Sequence, residues 1–314
     1  MIYILKMKYE LTIAISILMI LGMILVYYTL VIFMSPYEHN SHAKYVDGTN
    51  SKTLTYDQFS TINISSTGIP KLIFRTGESS LSNIHHDIHD LYEETIDTNP
   101  TYQQIYFNND DRRKFIEQYY PQYLYSYDAV IPGAFKADIF RILVIHKYGG
   151  IYCDMSMKFL IPINDIISDN YDMFLVIEPY KWGLFNGFFA SIPNNPLLLK
   201  IMDRVDTNIK NKYYGNSYLD ITGPQVFGRV INKELNRPET LFYNEKELCI
   251  NSIKIKLLKL DYYVLFHNAF IKELDTHKFL IQHKLSYSAQ LGVYKPNQKT
   301  YRDLWYERAI YNQE

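Results

Sequence analysis

Cysteine is scarce in this sequence, and the scarcity argues against two kinds of small scaffold. The 314 residues include only Cys153 and Cys249, which lie far apart and form no CxxC pair. The spacing therefore signals neither a zinc ribbon nor a disulfide framework, although a single disulfide between the two stays open.

An excess of positive charge is missing as well. Lysine and arginine number 32 against 33 aspartates and glutamates, which gives a formal net charge of −1. Such a chain has no basic surplus for neutralising a phosphate backbone, so we expect no nucleic-acid partner. Hydrophobic residues make up 47% and charged residues 21%, so we expect a globular body rather than disorder throughout.

Tryptophan is rare and tyrosine is abundant, with 2 and 30 copies. AT-rich codon usage is one explanation, because isoleucine, asparagine and lysine are abundant too. The other is a surface on which flat amphipathic rings stack against sugars. Composition alone does not separate the two.

One long stretch without charge, residues 11–34, lies near the N-terminus. As a helix it would extend roughly 36 Å, enough to cross a hydrocarbon core of about 30 Å. A cleaved signal peptide is the alternative, but its apolar core is normally shorter and ends at small residues. We therefore expect a transmembrane signal anchor preceded by a cytosolic tail, residues 1–10.

The charges around this stretch indicate its orientation. Lys6 and Lys8 precede it, and the positive-inside bias then places the N-terminus in the cytosol. This predicts a single-pass type II membrane protein in a Golgi- or ER-like membrane, or in a viral or host membrane. The polar residues 35–68 are typical of a stem or linker and contain a glycosylation sequon at Asn63. Residues 69–314 are long enough for one domain with a sizeable core.

Strand and helix signals alternate in this domain. Strands are predicted at 69–75 and 102–107, and helices at 84–98 and 109–119. The alternation favours an α/β fold, in which a mixed or parallel sheet is covered by helices on both faces.

The most informative segment is 134–160. Residues 134–148 predict an apolar helix, and Gly149 with Gly150 predicts its end, because glycine adopts a left-handed conformation without steric cost. Residues 151–160 alternate and predict one strand. Its period of two places one row of polar side chains on a single face: Tyr152, Asp154, Ser156 and Lys158.

That row has the chemistry to bind a nucleotide diphosphate. A carboxylate at a strand end of an α/β sheet lies where ligands usually bind, and Asp154 offers hard oxygen ligands to a divalent cation. Ser156 would complete the cation site, and Lys158 would lie beside the phosphates. An exposed strand face with ordinary polar residues is the alternative.

Asp138 and Arg141 lie three residues apart on the preceding helix. An intrahelical ion pair of about 0.2–0.5 kcal/mol is one interpretation. A hydrogen-bonding pair for sugar hydroxyls is the other, since arginine donates and aspartate accepts. The spacing does not decide between them.

The run from Ala137 to Arg141 and the run from Tyr148 to Asp154 resemble the sugar-binding region of glycosyltransferase family 32. The first part of the family pattern ends in D-[IL]-x-R and the second reads Y-G-G-[IV]-Y-x-D-x-D, and the sequence here is most similar to large-virus and protist members. Weaker matches continue in family order over residues 69–290. They include Asn186-Gly187, Thr222-Gly223-Pro224 and His283.

The resemblance implies an enzyme with a GT-A fold, a Rossmann-like mixed sheet flanked by helices. It implies a retaining hexosyltransferase, with mannose favoured, that uses GDP-mannose or a UDP-sugar, Mn²⁺ or Mg²⁺, and a glycan, lipid or protein acceptor. It also implies roles for individual residues. The catalytic residues are Asp138, Arg141 and Asp154, the metal ligands are Asp154, Ser156 and His283, and the donor-binding residues are Asp138, Arg141, Tyr152, Asp154, Ser156, Lys158, Asn186 and Gly223.

One departure from the family pattern concerns the cation. Ser156 stands where the second carboxylate of D-x-D belongs, so the affinity for a cation should fall. The cation could be held by Asp154, His283 and phosphates, or Lys158 could partly replace it. A weak or inert sugar-binding protein that kept the fold is the alternative function. A capsule-type polysaccharide transferase of related fold is a third hypothesis.

Overall fold

The computed structural model consists of two units, residues 1–43 and 44–314. In the first unit, helix α1 (15–23) has exposed side chains. The predicted tail 1–10 and most of the predicted anchor 11–34 lie outside the described residues. Within the described ranges, no helix is both long and apolar enough to cross a bilayer. The described residues are 15–23, 52–59, 68–179, 182–263, 268–284 and 299–312.

A mixed sheet is the centre of the second unit, and eleven strands of its described part contribute to it. The order across the sheet is β1-β3-β2-β4-β7-β6-β9-β10-β11-β5, and β8 pairs with β9. The strands are β1 Leu54–Thr55, β2 Leu72–Thr76, β3 Gln103–Phe107, β4 Gly150–Cys153, β5 Met157–Phe159, β6 Met173–Ile177, β7 Leu184–Ser191, β8 Glu247–Ile250, β9 Ile253–Tyr263, β10 Asn268–Lys272 and β11 Phe279–Lys284. Pairs β1–β3, β2–β3, β2–β4 and β6–β9 are parallel, whereas β4–β7, β6–β7, β8–β9, β9–β10, β10–β11 and β5–β11 are antiparallel.

Helices cover both faces of this sheet, as the alternating pattern predicts. Tyr106 of β3 packs against α3, whereas its neighbour Phe107 lies 4.7 Å from the ring of Phe140 on α6. Successive strand residues point to opposite faces, so α3 and α6 lie on opposite sides. The helices are α2 Tyr56–Phe59, α3 His86–Thr98, α4 Asn109–Tyr119, α5 Leu124–Ala129, α6 Gly133–Tyr148, α7 Pro196–Lys210, α8 Pro224–Glu234 and α9 Tyr301–Tyr306.

Local signals account for the ends of two helices. The side chain of Asn108 accepts from the main-chain N–H groups of Asp110 and Asp111, which begins α4 where the sequence predicts it. Gly149 ends α6 with φ +67°, and Gly150 follows with φ +96°. These left-handed conformations favour glycine, so the predicted Gly-Gly stop is confirmed.

Part of the predicted linker 35–68 belongs to the folded body. Leu54 and Thr55 pair in parallel with β3, and Phe59 is buried with its ring 5.5 Å from that of Phe74. Residues 52–59 therefore extend the sheet at its edge rather than forming a stem. The remainder of the predicted linker, Asn63 included, lies outside the described residues apart from residue 68.

The prediction of one strand over 151–160 is wrong. β4 ends at Cys153, a turn follows, and β5 begins at Met157. The main-chain N–H of Met157 donates to the carbonyl of Asp154 at 3.2 Å, which closes the turn. The buried guanidinium of Arg75 bonds both the Asp154 and the Met157 carbonyls, and that convergence is incompatible with an extended strand.

Because the chain turns after β4, β5 does not continue beside β4. It lies last in the strand order and pairs with β11. Residues from the centre and from this far end nevertheless share one apolar core, for example Ile151 of β4 and Ile281 of β11. The sheet therefore curls, and β11 returns to the neighbourhood of the turn after β4.

Candidate functional site

Three charged side chains meet where β4 ends. Asp138 and Arg141 lie on α6, and Asp154 follows β4 directly. The Arg141 Nη2 atom is 3.4 Å from Asp138 Oδ1 and 3.4 Å from Asp154 Oδ1. The guanidinium also lies over the Tyr152 ring, 4.5 Å from its centre. A positive charge is therefore held between two carboxylates, which a simple ion pair within the helix does not describe.

Asp138 is buried and held by hydrogen bonds from two other elements. Its Oδ1 accepts from Asn186 Nδ2 at 2.9 Å, and its Oδ2 accepts from Thr222 Oγ1 at 2.7 Å. Burial raises the pKa of Asp138, while Arg141 and these two hydrogen bonds act in the opposite direction. Each carboxylate oxygen has two acceptor sites, so the group retains capacity for a sugar hydroxyl.

The predicted donor-binding residues Asn186 and Gly223 both border Asp138. The carbonyl of Asn186 accepts from Arg141 Nη1 at 2.8 Å, so this one residue positions both charges on α6. Gly223 is the N-cap of α8, and a Cβ there would lie 3.7 Å from Asp138 Oδ2. Thr222, the hydroxyl donor, is absent from the predicted set because only its place beside Gly223 was visible in the sequence.

Asp154 is the most accessible carboxylate of the cluster, with 30% of its side chain exposed. Its Oδ1 accepts from the Tyr152 hydroxyl at 2.9 Å, and its main-chain N–H donates to the Gly187 carbonyl at 2.8 Å. A Cβ on Gly187 would lie only 2.5 Å from Asp154 Oδ2. The absence of a side chain at Gly187 therefore leaves room for the carboxylate.

Arg141 stays charged in this setting. Burial acts against its charge, but Tyr152, Asp154 and Asp138 together raise the pKa of Arg141 above its ordinary value. Its Nε also donates to the Ala137 carbonyl at 3.3 Å. The cluster thus offers a fixed cation and one accessible carboxylate on a rigid helix and strand.

His283 on β11 reaches the same neighbourhood, as the sequence predicts. It lies opposite Met157 in register, with its ring 6.0 Å from that of Phe185. Burial lowers the pKa of His283, and the negative charge of Asp154 acts in the opposite direction. Among the described residues, its Nδ1 atom is buried without a hydrogen-bond partner.

Two members of the predicted polar row are not brought to the cluster in the expected way. Ser156 is buried within the turn rather than aligned with Asp154 along a strand. The Lys158 ammonium forms an ion pair with Glu94 of α3, 2.6 Å from its Oε1. The row predicted from a period of two is therefore not formed, because β4 and β5 are separate strands.

Arg75 is a second residue of the site that is absent from the predicted set. It is fully buried on β2 and donates through Nη1 to the carbonyls of Asp154 at 2.9 Å and Met157 at 3.3 Å. Its Nε donates to Gln104 at 2.8 Å, and its guanidinium covers the Tyr92 ring. The sequence did contain a signal for Arg75, because it is a charged residue within an apolar strand. A buried charge needs partners, and these define the neighbouring turn.

The donors present fit a divalent cation that is only partly enclosed by protein. Asp154 supplies an accessible carboxylate oxygen, and His283 supplies a ring nitrogen that has no hydrogen-bond partner among the described residues. Both donor types suit Mn²⁺, and phosphate oxygens would complete its coordination.

The segment that contains this cluster matches a known protein family. Residues 85–172 match the family described as glycosyltransferase sugar-binding region containing DXD motif. This segment is similar to a DXD-type sugar-binding region. It contains Asp138, Arg141 and Asp154, and its D-x-D here reads Asp154-Met155-Ser156.

Curated relatives share about half of this chain. Inositol phosphoceramide mannosyltransferase 2 of Schizosaccharomyces pombe is 28% identical over 159 residues, 50% of this chain and 44% of that protein. A mannosyl phosphorylinositol ceramide synthase of Saccharomyces cerevisiae is 27% identical over 181 residues, 54% of this chain and 44% of that protein. An uncharacterized glycosyltransferase of Acanthamoeba polyphaga mimivirus is 27% identical, over 41% of this chain and 52% of that protein. The chain therefore spans less than half the length of the yeast relatives.

Among solved structures, a PaToxG glycosyltransferase is 20% identical. The alignment covers 54% of this chain and 70% of that chain, with a TM-score of 0.40.

Proposed function

We propose that this protein is a membrane-anchored retaining glycosyltransferase of the GT-A type. It moves a hexose, mannose in the first instance, from a nucleotide-sugar donor to a glycan, lipid or protein acceptor. The observation that carries the proposal is the placement of Arg141 between Asp138 and Asp154, 3.4 Å from each, inside the DXD-type region.

The three charged residues have separate tasks in this proposal. Asp138 accepts hydrogen bonds from donor-sugar hydroxyls, and its orientation is supported by Asn186 and Thr222. Arg141 donates to the sugar or the phosphates from a fixed position, because the Asn186 carbonyl and the Tyr152 ring hold its guanidinium in place. Asp154 meets the cation or the ribose, since its carboxylate is the accessible one.

Mn²⁺ would be held by Asp154 and His283, whereas Mg²⁺ would rely on Asp154 and phosphate oxygens, and Ser156 would contribute no charge in either case. When bound, such a cation neutralises the diphosphate that departs from the sugar. In retaining transfer the acceptor hydroxyl approaches the face from which the diphosphate leaves, and a phosphate oxygen can take its proton. No side chain has to act as a nucleophile, so the protein acts by positioning and electrostatic stabilisation.

The acceptor to test first is a lipid with a phosphorylinositol headgroup. Two yeast relatives carry inositol phosphoceramide or phosphorylinositol ceramide in their names. An anchor at 11–34 would hold the catalytic domain beside such a lipid. Membrane flotation of the full chain, compared with a chain lacking residues 1–34, tests the anchor. Loss of flotation on truncation is the expected result, and an unchanged distribution would contradict the anchor.

A nucleotide-release assay tests the activity. Full-length protein in detergent is incubated with GDP- and UDP-sugars, with Mn²⁺, Mg²⁺ or EDTA. We expect release from one donor that is lost in EDTA. Release should also be lost in Asp154→Asn but retained in Asp97→Asn, which alters an exposed aspartate of α3. Equal activity in the two variants would contradict the assigned site.

A catalytically inert sugar-binding protein is the second candidate, and Ser156 is the observation that favours it. It predicts donor or nucleotide binding by calorimetry with no release under any cation. Release that persists in EDTA would instead indicate that a side-chain cation performs the role of the metal.

A further inference from the structure

A group of side chains with potential metal ligands lies where α3 begins, outside the cluster of Asp138 and Asp154. It consists of His85, His86 and Asp87, whose candidate ligand atoms all lie within 4.8 Å of one another. The His86 Nε2 atom is 2.8 Å from Asp87 Oδ1, and the His85 Nδ1 atom is 3.6 Å from Asp87 Oδ2. Each carboxylate oxygen thus faces a different imidazole.

The Asp87 carboxylate is buried, with the residue only 7% exposed. Within the described part of the chain, its side-chain ion-pair partners are the two histidines, and no lysine or arginine lies in range. A buried carboxylate without a positive partner is strongly disfavoured. A metal ion bound by this carboxylate and both imidazoles would supply such a positive partner.

The two imidazoles are accessible and only lightly committed elsewhere. Their side chains are 28% and 34% exposed for His85 and His86. The Asp87 N–H donates to His85 Nδ1 over a long 3.3 Å, and His86 Nδ1 is buried without a partner in the described residues. Binding an ion would therefore replace this weak capping bond and the direct contact between His86 and Asp87.

We propose that His85, His86 and Asp87 form a transition-metal site of the Zn²⁺ type, with water as the remaining ligand. Two imidazole nitrogens and one carboxylate oxygen suit Zn²⁺, whereas Mg²⁺ prefers oxygen ligands alone. Ligand atoms of a tetrahedral zinc lie roughly 3.3 Å apart, and the two His–Asp spacings of 2.8 Å and 3.6 Å lie on either side of that value. The helix N-terminus opposes a cation, and the Asp87 carboxylate in the first turn offsets that effect.

The site would stabilise the helix that supports the DXD turn, rather than take part in transfer. Along α3, Tyr92 lies under the Arg75 guanidinium and Glu94 pairs with Lys158 of β5. A metal at the first turn would fix the end of α3 that precedes these contacts. The inference is thus independent of whether the protein transfers a sugar.

Metal titration of the full chain tests the site. EDTA-treated protein is titrated with Co²⁺, whose visible absorption reports tetrahedral binding, and then with Zn²⁺ in competition. We expect at least one equivalent to bind in the wild type, and one equivalent still to bind in Asp154→Asn, which removes the other candidate site. His89→Gln is the matched control, because His89 lies one turn further along α3 outside the group. It should bind like the wild type.

Two variants remove the ligands while protecting the fold. His85→Asn retains a side chain that can cap α3 but loses the imidazole. His86→Gln removes the second ring. Each should weaken Co²⁺ and Zn²⁺ binding by at least the roughly 10–100-fold seen when an outer-shell partner is lost. Zn²⁺ should raise the thermal midpoint of wild type and His89→Gln, but not of these two variants.

Two results would overturn the proposal. One is a wild type that binds neither Co²⁺ nor Zn²⁺. The other is unchanged binding in the double variant His85→Asn, His86→Gln. Neither result bears on nucleotide release, so the site and the proposed transferase activity can fail separately.

Discussion

The guanidinium of Arg75 on β2 donates a 2.9 Å hydrogen bond to the main-chain carbonyl of Asp154. The same group reaches the Met157 carbonyl, so one buried charge closes the turn that presents the candidate catalytic carboxylate. The position of Asp154 is therefore set through its main chain, and its side chain, which accepts from the Tyr152 hydroxyl, stays accessible to a ligand. Arg75 is a positioning residue in this sense.

Replacing Arg75 should weaken both the fold and the site. Arg75→Gln loses the charged hydrogen bonds to two carbonyls, each of about 1.5–3 kcal/mol, so we expect a loss of at least about 3 kcal/mol in unfolding free energy. Arg75→Lys keeps the charge but not the planar fork, and should raise the donor KM more than it lowers kcat. Urea unfolding and donor titrations measure these effects. Lys71→Gln, at an exposed residue just before β2, is the control.

Adding one methyl group at Gly187 should displace the Asp154 carboxylate. The new Cβ would lie 2.5 Å from Asp154 Oδ2 and equally close to the Phe185 ring, which is too near for either to stay in place. We expect Gly187→Ala to cost about 1–3 kcal/mol of stability from overpacking. Nucleotide release should fall at least tenfold, since misplacement by about 1 Å can cost 100-fold. Gly68→Ala places its Cβ at an ordinary 3.8 Å contact and should behave as wild type.

Removing the charge of Asp138 should lower nucleotide release without lowering the stability of the protein at neutral pH. Burial raises the pKa of Asp138 above its ordinary 3.8, so the folded protein holds that proton more tightly than the unfolded chain does. Wild-type stability relative to Asp138→Asn should therefore be greatest below pH 3.8 and fall as pH rises through the raised pKa. At pH 7 the variant should be at least as stable as wild type, while its nucleotide release falls roughly 100- to 1,000-fold.

Urea unfolding of both proteins between pH 3 and pH 7, together with release assays, measures this separation. A variant that is clearly less stable than wild type at neutral pH would mean that the pairing with Arg141 outweighs the burial of Asp138.

Restoring the second carboxylate should strengthen cation binding. Ser156 lies in the turn directly after Asp154 and Met155, so Ser156→Asp adds a charged oxygen ligand near the accessible carboxylate. We expect the Mn²⁺ concentration for half-maximal nucleotide release to fall at least tenfold, a change of about 1.4 kcal/mol. Ser156→Asn introduces a side chain of the same shape as aspartate but without the charge, so this Mn²⁺ concentration should stay unchanged. Equal Mn²⁺ dependence in both variants would place Ser156 outside the cation site.

Much of the local structure could be predicted because its causes lie close together in the sequence. The Asn108 cap sets the start of α4, and Gly149 sets the end of α6 through its own φ angle. Helical spacing also places Asp138 and Arg141 on neighbouring positions, and the family pattern adds Asp154. These features depend on residues within a few positions of one another, where propensity, capping and periodicity act.

The remaining features were decided by tertiary structure, since they depend on partners that are distant in sequence. The strand predicted over 151–160 breaks because Arg75, 79 residues earlier, pulls two carbonyls into a turn. Asp138 is oriented by Thr222, 84 residues later. Lys158 pairs with Glu94 rather than with a phosphate site because β5 leaves β4 for the end of the sheet. The alternating pattern over 151–160 shows which side chains are apolar. Where the backbone turns is decided by Arg75, a buried charge on a neighbouring strand that the pattern does not include.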